Sequence, residues 1–272
     1  MGLTPNVRPD RPSLSPRRSE TTRVGSDSPI SVDISTPRRA LAVGAHPDDI
    51  EFGCGGTLAK WASSGCAVYF AILTDGSKGT WSANTSTPSL VATREAEQRE
   101  AARRIGTNEV TFLGSVDGEL TNSPQVRRQV SQLIRTLQPD VVLGHDPWRM
   151  YRLHPDHRAA GWILTDSIVA ARDPLFFPDQ GLNPHRPEKL LLWEAEVTNH
   201  VENVSGYLDA KFQALIAHRS QHETTMGVEV SGTGDGDTDF SPLYEWIVSE
   251  LSSQGEAVGV LLGESFHLIT DL

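Results

Sequence analysis

From about Arg38 onward the chain alternates between short apolar runs and longer segments of mixed polarity. The runs 39–45, 67–73, 110–113, 140–144 and 189–193 have the length of strands. Apart from the leading Arg39, Asp140 and Lys189 and the internal Thr111 they are apolar, as in strands buried on both faces. Between them, 57–62, 90–105, 124–137 and the segment from His154 to about Ala171 are predicted helices. Gly65 and Gly106 supply helix stops, and Pro124 and Pro155 fit first helical turns, where a missing N–H costs nothing. Further helices are predicted over 207–218 and 241–253, and 265–268 returns to the domain. The glycine-rich stretch 52–56 is read as a lead-in to the first helix. The proline-rich segment 173–188 is read as a loop, and 228–239 as a mobile loop.

Strand and helix in alternation imply an α/β domain with a mostly parallel sheet and helices on both faces. Residues 1–36 break the pattern. They are rich in Pro, Ser, Arg and Thr and are expected to form a disordered tail before a single domain over 37–272. The formal net charge is -11, which argues against a general nucleic-acid binder. No run reaches the roughly 18–20 apolar residues of a membrane span, and the N-terminal stretch lacks the apolar core of a secretory signal. Cys54 and Cys66 do not make a disulfide framework. A cytoplasmic enzyme of small molecules is the expectation.

Two polar clusters lie where strands end. His46-Pro47-Asp48-Asp49 follows the first strand, and His154-Pro155-Asp156-His157 closes the loop after the fourth. Right-handed crossovers bring all strand C-terminal ends to one sheet edge, where ligands of open α/β sheets bind. A catalytic metal of the zinc type takes three protein ligands and keeps one position open. His46 and Asp49 can reach one ion, and His157 is the expected third ligand. Asp48, between two ligands, is placed to carry a proton. His154, if cationic, can stabilise an oxyanion, with Asp156 or Asp146 as the partner that holds it.

These clusters, with Gly53-Cys54-Gly55-Gly56-Thr57, Thr74-Asp75-Gly76, Arg94-Glu95, Phe112-Leu113-Gly114 and Asp117-Gly118, resemble the zinc-dependent N-acetylglucosaminyl deacetylases of the PIG-L/LmbE family. The resemblance covers about 39–225. It implies a Rossmann-like fold and removal of an N-acetyl group from an N-acetylglucosamine-type substrate by metal-activated water. It implies zinc ligands His46, Asp49 and His157, Asp48 as general base and acid, and His154 as the oxyanion group. It points to Arg94 and Asp117 as sugar contacts. Fe(II) suits the same donors as Zn(II), and a homo-oligomer is compatible with the resemblance. One departure stands out. Where the thiol-pathway deacetylases of the family carry a tyrosine two residues before the His-Pro-Asp-His cluster, this chain has Arg152, with Tyr151 one residue further back. Rival readings are an amidase of mycothiol-type conjugates and, from another class, a metal-binding module without turnover. A phosphoesterase usually wants two ions, and ligands for one are visible.

Overall fold

The computed structural model describes residues 29–107, 109–229 and 238–272. The expected tail over 1–28 and most of the expected loop at 228–239 lie outside the described residues. One mixed sheet of eight strands carries the fold, in the order β1-β7-β8-β6-β5-β2-β3-β4. The strands are β1 (Ser31–Val32), β2 (Arg39–Gly44), β3 (Ala67–Thr74), β4 (Val110–Ser115), β5 (Val141–His145), β6 (Lys189–Trp193), β7 (His200–Asn203) and β8 (Gly263–Ile269). β8 alone runs antiparallel to its neighbours, β6 and β7. The five strands read from the apolar runs form one parallel block, β4-β3-β2-β5-β6.

Six helices are described: α1 (Asp49–Ser63), α2 (Thr87–Ile105), α3 (Pro124–Leu137), α4 (Pro155–Arg172), α5 (Leu208–Leu215) and α6 (Ser241–Glu256). Alternate residues of each central strand feed opposite faces. Ala40 and Ala42 pack with Leu58 and Trp61 of α1 and Ala101 of α2. Leu41 and Val43 pack with Ile134 of α3 and Ile163 of α4. Both faces of the sheet are therefore covered, which is why its strands carry no polar alternation. α6 builds a third apolar cluster, with Leu243, Ile247 and Leu251 against Val204 and Leu215.

The structure corrects three boundaries. Ser31–Val32, inside the expected tail, pairs parallel with β7. β7 has only four residues, three of them polar, and carries too weak a pattern to be read as a strand. The first helix starts at Asp49 rather than after the glycines, and it breaks at Cys54, whose φ/ψ of -152/21 is not helical. The break exposes backbone groups that helices normally pair. Nζ of Lys211 donates to the carbonyls of Glu51 (2.9 Å) and Phe52 (2.7 Å), closing the first segment. The Glu264 carboxylate accepts from the amides of Gly56 (2.9 Å) and Thr57 (2.7 Å), opening the second. Lys211 and Glu264 are themselves paired at 2.7 Å.

Candidate metal centre and active site

The sheet reverses its winding between β2 and β5, and the crevice of an open α/β sheet forms at such a point. Val43 of β2 pairs with Gly144 of β5, so the next residues, Gly44 and His145, lie level. His46 follows β2 by two residues, and His157 stands in the first turn of α4, whose entry closes the loop from β5. The two clusters meet there, 111 residues apart in sequence, with Nδ1 of His46 at 3.2 Å from Nε2 of His157.

Asp49 completes a triangle. Its carboxylate lies 3.3 Å from Nδ1 of His46 and 3.2 Å from Nε2 of His157. Ligands about 2.0–2.1 Å from a tetrahedral ion stand about 3.3 Å apart; the pairwise spacings here are of that size, with Asp49 facing His46 through Oδ2 and His157 through Oδ1. Neighbouring donor sets overlap with it: His46, His154 and His157; Asp49, His145 and His157; His46, Asp117 and Asp156. The electrostatics suit a cation. Burial alone would lower the His46 pKa, but Asp117, Asp156 and Asp49 push it up to about 12. Burial opposes ionisation of Asp49, yet His157 and His145 hold it well below the usual carboxylate range.

Behind the triangle sits a second layer. Nε2 of His46 lies 3.1 Å from Asp156 and 3.3 Å from Asp117. A carboxylate on the far ring nitrogen fixes a ligating imidazole and raises its basicity. Asp156 is locked by the amides of Gly118 (2.6 Å) and Leu120 (3.2 Å). Sequence reasoning assigned Asp156 or Asp146 to His154; the structure differs on both. Asp156 spends its oxygens on His46 and these amides. Asp146 accepts from the amides of Trp148 (2.9 Å) and Glu196 (3.0 Å) and staples a loop.

His154 is exposed and stacks on His157, with ring centroids 4.6 Å apart. Burial of the ring and then the neighbouring His46 and His157 lower its pKa. These surroundings disfavour the cationic form of His154; the imidazole offers an N–H in either form. The two residues expected as sugar contacts both have protein partners beside the triangle. Arg94 is 3% exposed, and it donates to the carbonyls of Pro47 (2.6 Å) and Gly76 (3.0 Å). Asp117 accepts from the Lys78 amide at 3.0 Å while facing His46. Both brace the site through these bonds.

Asp48 lines the same cavity as Asp49, His145 and His157. Burial raises its pKa to about 6, against the pull of Arg94. Its backbone is left-handed, with φ 104, a conformation that costs a non-glycine residue energy. Two site residues escaped sequence reasoning. His145 closes β5 just past the apolar run 140–144, a signal like the one that marked His46, and its Nε2 faces Asp49 at 3.2 Å. Arg152, noted only as a departure, grips Glu194 through two nitrogens at 2.9 and 2.7 Å, and its Nε reaches Nδ1 of His157 at 3.1 Å.

Residues 41–168 match the family model described as PIG-L, GlcNAc-PI de-N-acetylase. A diacetylchitobiose deacetylase of Thermococcus kodakarensis is 32% identical over 198 residues, spanning 72% of this chain and 74% of that protein. The chain belongs to the PIG-L family. The 1D-myo-inositol 2-acetamido-2-deoxy-alpha-D-glucopyranoside deacetylase of Mycobacteroides abscessus is 27% identical over 230 residues, covering 68% of this chain and 82% of that one. Among solved structures, the N,N'-diacetylchitobiose deacetylase of Pyrococcus horikoshii superposes with a TM-score of 0.76 at 30% identity. That match covers 86% of this chain and 84% of the other. Membership places the chain among deacetylases, and the His/Asp centre lies within the matched span.

Proposed function

We propose that this chain is a metal-dependent hydrolase that removes the N-acetyl group from an N-acetylglucosamine-type substrate. The observation that carries the reading is the Asp48 carboxylate on the wall of a cavity also lined by Asp49 and His157, the two residues that form the triangle with His46. That cavity has a volume of about 520 Å³, the size of a small-molecule site. Zn(II) is the proposed ion, held by His46, Asp49 and His157; Fe(II) suits the same donors. When bound, such an ion acts as a Lewis acid and activates water near neutral pH.

The chain's own groups supply the rest. Asp48 takes a proton from the attacking water as the new C–O bond forms at the amide carbon. The His154 imidazole offers an N–H to the developing oxyanion. Asp48 then gives its proton to the amide nitrogen as the C–N bond breaks, releasing acetate and a free amine. Asp156 and Asp117 hold His46 in its ring orientation.

The test is metal analysis of the purified protein, then amine release from N-acetylglucosamine and N,N'-diacetylchitobiose. Asp48→Ala should keep its metal and lose roughly 10²–10⁴ in kcat. Unchanged turnover in that variant would remove Asp48 from the reaction. No amine release from any N-acetylglucosaminide would remove the substrate class.

A further inference from the structure

The peptide bond that carries Asp48 is gripped on both edges by two residues of α2 one helical turn apart. Its carbonyl, from Pro47, accepts from Arg94 Nη2 at 2.6 Å. Its N–H, from Asp48, donates to Gln98 Oε1 at 3.0 Å. Positions i and i+4 of a helix present side chains on one face, so Arg94 and Gln98 close on this peptide as one clamp.

Gln98 cannot be turned over. Its Nε2 donates to Glu51 Oε1 at 2.6 Å. A backbone N–H can only donate, and the Glu51 oxygen takes the other N–H. Only one amide orientation satisfies both partners. Gln98 and Glu51 have no solvent exposure. Glu51 faces His218, also fully buried, with Oε2 at 3.5 Å from Nε2. Buried polar groups are costly unless they are paired, so such a chain running inward from Asp48 needs a reason. The left-handed backbone of Asp48 gives one. A strained position persists only where its surroundings over-determine it.

We infer that Gln98, oriented by Glu51, is a positioning residue that holds the Asp48 peptide in its strained conformation and so aims the carboxylate at the reacting water. The inference rests on the proposed role of Asp48 as base. It assigns to the sequence 94–98 of α2 a function beyond a charged helix surface.

The test is a pair swap. Gln98→Met keeps the volume and removes the acceptor. Its kcat should fall by about 10- to 100-fold, as for a small misplacement of a reacting group, with KM and metal content unchanged. Gln98→Glu sets two carboxylates face to face and should also lose kcat. Combining it with Glu51→Gln rebuilds the bond with donor and acceptor exchanged, and kcat should return most of the way. If Gln98→Met does not fold, the swap alone decides. Wild-type kcat in Gln98→Met, or no recovery in the swap, would overturn the inference, as would parallel loss of kcat and metal in every variant. Full turnover by Asp48→Ala would instead remove the base itself, and the clamp's purpose with it.

Discussion

The Trp193 indole N–H donates to Nδ1 of His145 at 3.0 Å. An indole can only donate, so Nδ1 must keep its lone pair and the ring proton sits on Nε2. That proton points at Asp49 Oδ2, 3.2 Å away. The amide of Ala45 also approaches Nε2, but at 3.5 Å it is too long to compete. Burial disfavours a charged His145, while Asp49 and Glu194 pull its pKa up; the indole donor settles the ring as neutral. Trp193 thus acts on a proposed metal ligand through one imidazole.

Trp193→Phe should therefore weaken metal binding about 10- to 100-fold, the usual cost of losing an outer partner. Competition with a chelator of known affinity measures it. Gly53→Ala should act in the same direction, because a Cβ there would meet the Trp193 ring at 2.5 Å. Unaltered affinity in both would detach Trp193 from the centre.

Arg152 sets up the opposite outcome. Its guanidinium donates to Nδ1 of His157, whereas a ring that ligates through Nε2 carries its proton on Nδ1. Loading the proposed site therefore requires the guanidinium to turn away, with Glu194 retaining it. Arg152→Ala removes a cation and a competing donor and should tighten metal binding by about 10-fold. Weaker binding, measured by the same chelator competition, would contradict this account.

The acid limb of the pH–rate profile should report Asp48. Burial lifts its pKa to about 6, and Arg94 opposes the rise. The base works as the carboxylate, so activity is lost as pH falls through that value. Without the Arg94 cation the pKa rises further, and Arg94→Met should move the limb to higher pH whatever its effect on the maximal rate. A midpoint that stays in place would show that Asp48 is not the titrating base.

The break in α1 predicts a stability effect. Lys211→Met leaves Glu264 buried without its cation and the Glu51 and Phe52 carbonyls without their donor. Breaking a buried pair on one side costs about 3–5 kcal/mol. Urea unfolding should show this loss, and a change below about 1 kcal/mol would mean that the ion pair does not hold the break.

Much of the scaffold was legible in the chain because its signals are local. Apolar runs of strand length gave the parallel block, and glycines and prolines gave most helix limits. The two His-Pro-Asp clusters stood out because each follows an apolar run. β1 and β7 were not legible, since their pairing comes from the sheet edge rather than from their own residues. The kink at Cys54 escaped because its caps, Lys211 and Glu264, lie about 150 to 200 residues downstream.

What the sequence determined by itself was the α/β architecture, the family resemblance and a set of residues able to hold a metal and move a proton. These follow from short-range pattern and composition. Only the tertiary structure decided how the set divides. It gave Asp117 and Arg94 bonds that brace the site, moved Asp156 from His154 to His46, and surrounded His154 with groups that disfavour its cation. It brought in His145, Trp193 and Gln98. The reason is physical: what a carboxylate or guanidinium can do depends on which partners take its oxygens or N–H groups. Those partners, 18 to 110 residues away, become neighbours only when the sheet is assembled.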